Sequence, residues 1–363
     1  MDEVLPAQSK KGPPKGRGAI GNSTGRFEPT VRFAVDDGWE LEEDLPPLRT
    51  TVTADATRKI IARNTSPDVG FEQSINPYRG CEHGCIYCYA RPSHAYYGLS
   101  PGLDFETKLF HKPNAAKILE AELRKPGYQC KTIVIGANTD PYQPIEREYK
   151  ITRRVLEVLS AYNHPVGIIT KSHLVARDLD ILSSMAERGL ATVAVSVTTL
   201  DRKLARFMEP RASTPQKRLI TIERLSSAGV PVRVMAAPMI PFLNDAELEA
   251  ILEAAHIAGA RFAAYTLVRL PLELKELFEE WLDTHFPDKK NHVLNQLRET
   301  RGGQLYAAEF GKRMRGTGVY AELLTQRFQK ACRRLGLNKE RHSGIDHTQF
   351  RLPPRAGDQL DLF

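Results

Sequence analysis

The sequence predicts an α/β fold built around a buried parallel sheet. Through the middle of the 363-residue chain, six short apolar stretches alternate with segments that carry the apolar spacing of helices. Parallel neighbours in a sheet need helical crossovers, so this alternation favours a parallel sheet covered by helices. Hydrophobic residues make up 41% of the chain, which suffices for a large core. The spacing alone does not separate an open doubly wound sheet from a barrel.

The predicted elements follow one another in order along the chain. Strands are predicted over residues 71–77, 132–136, 166–170, 191–197, 232–236 and 261–267. The helices that follow the earlier strands are predicted from 113 to about 125 and over 151–162, 177–188, 214–229 and 244–259. Beyond residue 270 only helices are predicted, over 272–286, 293–298 and 319–335.

Composition divides the chain into four segments. Residues 1–45 are rich in Lys, Gly and Pro, end in an acidic stretch, and predict a disordered arm. Residues 46–270 contain the strands and form the predicted core. Residues 271–350 predict a helical basic region, and residues 351–363 predict a flexible tail.

Positive charge is concentrated towards the C-terminus. The chain carries a net charge of +7, yet residues 289–355 alone contain fifteen Lys or Arg against five Asp or Glu, a local balance of +10. Such a local excess is typical of a surface that faces nucleic acid. Basic helices that are simply solvated are the alternative interpretation.

The sequence predicts a cytoplasmic protein without a membrane span. It contains no apolar run of about 18 residues, and its first residues, Met1-Asp2-Glu3, do not begin an apolar signal segment. Five cysteines, an odd number, fit a reducing compartment better than a disulfide scaffold.

Three of the cysteines, Cys81, Cys85 and Cys88, lie in one glycine-containing loop with the spacing Cys-x3-Cys-x2-Cys. Thiolates favour zinc or an iron–sulfur cluster. A structural zinc site needs four ligands, and no second Cys-x2-Cys or Cys-x2-His follows, although His83 or His94 could supply the fourth. A 4Fe–4S cluster on three cysteines would keep one iron open to a small molecule.

This spacing, with the aromatic Tyr87 just before the third cysteine, resembles the cluster loop of the radical S-adenosylmethionine (SAM) enzymes. The resemblance implies a six-stranded partial (β/α) TIM-like barrel over about residues 70–270, with function at the C-terminal ends of its strands. It also implies a 4Fe–4S cluster whose open iron is chelated by SAM. An electron from that cluster would cleave SAM and release a 5′-deoxyadenosyl radical. Tyr87 would lie beside the adenine.

Three further motifs resemble the spore photoproduct lyase group of that superfamily. They are Tyr87-Cys88-Tyr89, Thr139-Asp140 at the second strand end, and Thr170-Lys171 at the third. One departure concerns the lyase's hydrogen-donating cysteine, because the equivalent position here is Ala137, and Cys130 lies at the opposite end of the strand. The resemblance assigns roles to two sets of residues: Tyr89 to the hydrogen relay, and Asn138, Thr139, Asp140, Lys171 and Ser196 to SAM binding.

The last five residues resemble the peptide by which bacterial polymerases and repair proteins bind the sliding clamp. Three apolar side chains could anchor in a hydrophobic groove and a glutamine could hydrogen-bond. The peptide consists of Gln359, Leu360, Asp361, Leu362 and Phe363.

Together these features predict a radical SAM enzyme that repairs or modifies DNA and receives electrons from a donor such as flavodoxin or ferredoxin. Modification of RNA is a related possibility. The alternative from a different class is a non-catalytic, metal-containing adaptor that binds DNA or the clamp.

Overall fold

The computed structural model describes residues 14–31, 48–339 and 345–354. Within these residues the chain forms two sheets, one of seven strands and one of three. The strands are β1 (Thr51–Ala54), β2 (Ile61–Arg63), β3 (Gln73–Ile75), β4 (Tyr78–Arg79), β5 (Lys108–His111), β6 (Ile133–Ile135), β7 (Val166–Thr170), β8 (Ala191–Ser196), β9 (Val232–Met239) and β10 (Phe262–Leu267).

The larger sheet is a partial (β/α) barrel. Its strand order is β10-β9-β8-β7-β6-β3-β2, so six parallel strands stand side by side in chain order, and β2 runs antiparallel at the edge. Because parallel strands share a direction, their C-terminal ends form one rim, called the mouth here. This confirms the predicted fold class.

All six predicted strands are present, and β7 has the predicted bounds. The smaller sheet, in the order β1-β5-β4, was not predicted. Its strands are two to four residues long, and three of the four residues of β1 are exposed. Strands so short carry no apolar periodicity that could reveal them.

Helices cover the barrel in the order that the sequence predicts, with α1, α3 and α6 as additional short helices. They are α1 (Asp104–Thr107), α2 (Ala115–Leu123), α3 (Glu146–Tyr149), α4 (Ile151–Ala161), α5 (Leu179–Glu187), α6 (Arg202–Met208), α7 (Pro215–Ser227), α8 (Leu248–Ile257), α9 (Leu274–His285), α10 (Pro287–Glu299) and α11 (Val319–Leu335). Local signals set several ends. Thr214 caps α7 by accepting the backbone N–H of Lys217 at 3.4 Å, and Gly336 ends α11 at φ +70°.

The predicted helical basic region, residues 271–350, packs on the barrel and shares its core. Trp281 of α9 is fully buried, and its indole N–H donates to the carbonyl of Phe207 at 3.1 Å. Some of its cations bind within the protein, as Arg327 does to Glu249 at 2.6 Å. The basic surface is therefore smaller than the count of Lys and Arg suggests.

The predicted disordered arm is structured where the structure describes it. Residues 14–31 include the buried Arg17 and Ala19, so this part of the arm packs on the core, and the prediction of disorder is wrong there. At the other end, Phe350, the last residue before the predicted tail, contacts Tyr128 and His164 with ring centroids 5.5 Å apart. The flexibility of the tail, residues 351–363, stays a prediction. The proposed clamp peptide, residues 359–363, lies outside the described residues.

None of the helices in the described ranges combines the length and apolarity needed to cross a lipid bilayer.

We expect Trp281→Ala to lower the free energy of unfolding by about 3–5 kcal/mol, because it empties a large buried site. Urea unfolding followed by circular dichroism measures the loss. The matched control is Ile257→Ala, because Ile257 is 79% exposed and its truncation should change stability by less than about 0.5 kcal/mol. A mild Trp281 variant would mean that α9 is not part of the barrel core.

Candidate active site

The cysteine loop lies at the mouth, directly after β4. Cys81 and Cys85 are buried, and Cys88 is partly buried. Tight turns shape the loop, since the N–H of Cys88 donates to the carbonyl of Cys85 at 3.2 Å. Gly84 adopts φ +67°, and a Cβ there would lie 2.7 Å from a carboxylate oxygen of Glu106. The loop can therefore close only with glycine at this position.

The three thiols lie near enough to influence one another. Burial raises the pKa of Cys85 to about 12, and the Glu209 carboxylate adds to the effect. Burial also raises the pKa of Cys81, with further contributions from Asp140, Cys85 and Cys88. Thiolates crowded into a dry loop need positive charge, which a bound metal cluster would provide. The donor set thus fits an iron–sulfur cluster.

The alternative of a closed zinc site receives no support from His94. His94 Nε2 bonds the carbonyl of Lys108 at 2.9 Å, and its ring packs edge-on against Phe105. Burial lowers the pKa of His94 to about 4. Across the described ranges, no three His, Cys, Asp or Glu side chains converge on a single metal ion. A four-iron cluster makes no such demand, because each thiolate binds a separate iron.

A buried ion pair between Arg91 and Glu106 holds the cysteine loop in place. Both side chains are fully buried. The Arg91 guanidinium donates from Nε to the carbonyl of Cys85 at 2.9 Å and from Nη1 to that of Gly102 at 2.9 Å. Neither residue was singled out from the sequence, because a charged residue gains this role only through tertiary pairing.

The N-terminal segment completes this anchor. The backbone N–H groups of Gly18 and Ala19 donate to the two oxygens of the Glu106 carboxylate at 3.0 and 2.9 Å. Arg17 donates from Nη1 to the Glu106 carbonyl at 2.9 Å. A Cβ on Gly18 would lie 1.7 Å from the carbonyl oxygen of Gly84. The segment therefore touches the cysteine loop itself, at a position where only glycine fits.

Two of the residues predicted to bind SAM meet at the mouth. The Lys171 ammonium lies 5.7 Å from the centroid of the Tyr87 ring, and the Tyr87 hydroxyl donates to Glu209. Burial alone would lower the pKa of Lys171, but the negative charges of Cys85 and Glu209 outweigh it and raise the pKa. Lys171 therefore presents a cation beside the cysteine loop.

A second buried ion pair, between Glu209 and Arg218, supports this arrangement. Arg218 also donates from Nη1 to the carbonyl of Ser196 at 3.1 Å, and Thr198 donates to Glu209 at 2.5 Å. Burial would raise the pKa of Glu209, but the cations of Arg218 and Lys171 lower it to about 2. This pair links the ends of β8 and α7 to the mouth, and sequence reasoning missed it.

The other predicted SAM-binding residues make structural bonds. The Thr139 hydroxyl donates to the carbonyl of Tyr78 at 2.9 Å, and the backbone N–H of Asn138 donates to the side chain of Asn76. Asp140 accepts the backbone N–H of Lys171 at 2.7 Å. Thr139 therefore directs its hydroxyl proton at the backbone, and Asp140 joins the ends of β6 and β7. Their contact with SAM stays a prediction.

Tyr89 extends from the cysteine loop to the end of β6. Its hydroxyl donates to the carbonyl of Ala137, and the Arg269 guanidinium lies 4.4 Å from its ring centroid. The side chain is 46% exposed. The tyrosine and the position that lacks a cysteine are thus in direct contact.

Residues 75–255, about half of the chain, match the radical SAM superfamily model. The chain belongs to the radical SAM superfamily. It is therefore a radical SAM enzyme, and the non-catalytic adaptor is disfavoured.

Relatives of this radical SAM enzyme occur in bacteria and archaea. Uncharacterized proteins of Mycobacterium tuberculosis and Mycobacterium bovis are 37% identical over 220 residues, which cover 60% of this chain and 65% of each relative. The match thus spans less than two thirds of those relatives. An uncharacterized protein of Methanocaldococcus jannaschii is 25% identical over 230 residues, 62% of this chain and 81% of the relative.

Solved structures of spore photoproduct lyase show the same fold. They superpose with a TM-score of 0.57 at 15% identity, over 79% of this chain and 80% of the lyase chain. One of them is complexed with a dinucleoside spore photoproduct. The likeness extends beyond the matched family segment and includes most of the described chain.

We expect Gly18→Ala to lower the iron retained by this radical SAM enzyme and to destabilise it by about 1–3 kcal/mol, because the added methyl displaces the N-terminal segment from the cysteine loop. Iron per chain and thermal unfolding after anaerobic reconstitution measure both effects. Gly70→Ala is the matched control, because a Cβ there meets no atom within 4 Å among the described residues. Equal iron in the two variants would contradict the role given to this segment.

Proposed function

We propose that the chain cleaves SAM reductively at a 4Fe–4S cluster and carries out radical chemistry on a nucleic acid, in DNA repair or modification related to spore photoproduct lyase. The observation that carries the proposal is the cysteine loop, which presents three thiols and no fourth ligand among the described residues at the mouth of a radical SAM barrel. The partly exposed Tyr89 beside it gives a large substrate an approach to that mouth.

In this proposal the cysteines hold three irons of the cluster and one iron keeps no protein ligand. The cluster, when bound, supplies the electron that cleaves SAM into methionine and a 5′-deoxyadenosyl group able to abstract hydrogen. The Lys171 ammonium pairs with the SAM carboxylate as a compact cation. Ser196, Thr139, Asn138 and Asp140 lie on the same rim and would line the SAM site.

A nucleic-acid substrate is supported by charge and by the fold. The chain has a sequence pI of about 9.1, and the structurally similar lyase has been solved in complex with a dinucleoside photoproduct. Phosphates attract such a surface at long range. DNA is the proposed polymer, and RNA is the second candidate.

Two further parts of the proposal concern partners and location. An electron donor such as flavodoxin or ferredoxin would reduce the cluster, because each reductive cleavage of SAM consumes one electron. We also propose a cytoplasmic location, because the reducing cytoplasm keeps cysteines out of disulfides and available as cluster ligands.

Reconstituted protein should contain about four iron and four sulfide per chain and should cleave SAM when reduced. We expect Cys81→Ala, Cys85→Ala and Cys88→Ala each to lose at least half of the iron and all SAM cleavage, because each removes a cluster ligand. Cys130→Ala is the control and should keep both, since Cys130 lies before β6. Iron, sulfide and 5′-deoxyadenosine assays measure these effects, and a colourless zinc protein would refute the proposal.

The substrate is tested in the same assay with deuterated DNA and, separately, deuterated RNA. Deuterium in 5′-deoxyadenosine from one polymer would identify the one that donates hydrogen. If neither polymer transfers deuterium while SAM is still cleaved, the nucleic-acid part of the proposal is wrong.

We also propose that residues 359–363 recruit the enzyme to the sliding clamp. Deleting them should reduce clamp pull-down at least tenfold, because the peptide's apolar anchors are removed, while SAM cleavage continues. Asp358→Ala, just outside the peptide, is the matched control and should bind normally. Undiminished pull-down by the truncated enzyme would rule out recruitment through this peptide.

A further inference from the structure

A basic cavity of about 240 Å³ lies on the outer side of the cysteine loop. His83, in the loop itself, forms one wall. The segment that leads into α7 forms another, and the turns after β6 and β7 close the remainder. The charged and polar side chains that decide its chemistry are His83, Arg147, His173, Arg211, Ser213 and Lys217.

The cavity has more positive than negative charge. Arg147 and Lys217 are exposed, and neither forms an ion pair with any residue that the structure describes. Arg211 does pair, with Glu82 at 3.1 Å. Burial lowers the pKa of His173, and the cations of Lys217 and Arg147 lower it further. The excess of positive charge around the cavity favours the binding of an anion.

The wall formed by His83 is buried. His83 is only 2% exposed, and its Nδ1 lies 3.3 Å from a carboxylate oxygen of Asp140, which also accepts the backbone N–H of Lys171 at 2.7 Å. The negative charge of Asp140 is therefore occupied on the inner side of this wall. The cations that remain to receive an anion are those of Arg147 and Lys217, at the open side of the cavity.

The cavity and the mouth share a wall. Lys171 faces Tyr87 in the mouth, whereas the next residue, Ser172, lines the cavity. Both residues belong to the turn that follows β7, so the cavity and the mouth are one residue apart along the chain. A phosphate bound in the cavity would therefore hold the neighbouring nucleotide close to the mouth.

We propose that this cavity binds a backbone phosphate of the nucleic acid, and so fixes the polymer beside the mouth. The inference rests on the proposed function. Arg147 and Lys217 would contact the phosphate oxygens directly, and the N-terminus of the 13-residue helix α7 adds partial positive charge. A concave site suits one tetrahedral group, whereas an acidic redox protein would dock on a broader surface, of up to about 1,200 Å² in total over both partners.

The test is binding of the reconstituted enzyme to a labelled single-stranded DNA oligonucleotide, measured by fluorescence anisotropy over a range of salt concentrations. The double variant Arg147→Gln, Lys217→Gln should bind about tenfold more weakly, a change of about 1.4 kcal/mol in binding free energy. The slope of log K against log salt should fall by about 0.7, because the variant no longer neutralises one phosphate of the oligonucleotide. Lys117→Gln, an exposed lysine on α2 away from the cavity, should match the wild type in both measurements.

Each outcome bears on the inference. An oligonucleotide whose phosphates are replaced by uncharged methylphosphonates should bind the wild type and the double variant equally, which would support it. Equal binding of normal DNA by both proteins would overturn it while the nucleic-acid function still holds. Inorganic phosphate that binds more tightly than the oligonucleotide would overturn the polymer as the source of the phosphate.

A redox partner is tested in parallel. If the double variant loses affinity for flavodoxin but not for DNA, the cavity serves protein docking and the inference is wrong. If the wild type binds no oligonucleotide at all, both the inference and the nucleic-acid function are wrong.

Discussion

The buried ion pair between Arg91 and Glu106 is the interaction on which the cysteine loop depends. Removing one partner of such a pair leaves an uncompensated charge in the core and typically costs about 3–5 kcal/mol. Here both partners also bind backbone groups, since Arg91 holds the carbonyl of Cys85 and Glu106 holds the N–H groups of Gly18 and Ala19. The pair therefore joins the N-terminal segment and the loop in one rigid unit.

The second buried ion pair, Glu209 with Arg218, stabilises the residues around Tyr87 in a similar way. Glu209 accepts the hydroxyl of Tyr87, and Arg218 holds the end of β8 through the carbonyl of Ser196. The carboxylate also contributes the negative charge that keeps Lys171 cationic. The opposite charges of Lys171 and Glu209 thus stabilise each other beside the cysteine loop.

The sequence predicted those features that depend on local pattern. The cysteine spacing identified the loop, and the buried apolar run of β7 located a strand to the residue. It could not predict Glu106 or Arg218, because charged residues usually lie at the surface and nothing nearby in sequence marks their burial. The prediction of a disordered arm is wrong over residues 14–31 for the same reason. Its composition is that of a disordered segment, but its backbone N–H groups bind a carboxylate about 90 residues further along the chain.

The contact between Tyr89 and Ala137 limits how a reaction at this mouth can end. The Tyr89 hydroxyl bonds the carbonyl of Ala137, and the methyl side chain of alanine offers no weak S–H bond as a thiol would. Cys130 cannot replace the missing thiol. It lies seven residues earlier, before β6, and an extended chain of that length spans roughly 20 Å. In the proposed reaction, any hydrogen returned at this position would therefore have to come from a donor other than a cysteine of β6, such as Tyr89, the substrate or 5′-deoxyadenosine. Because O–H and C–H bonds are stronger than a thiol S–H bond, the proposed chemistry would differ from that of a lyase that uses a thiol.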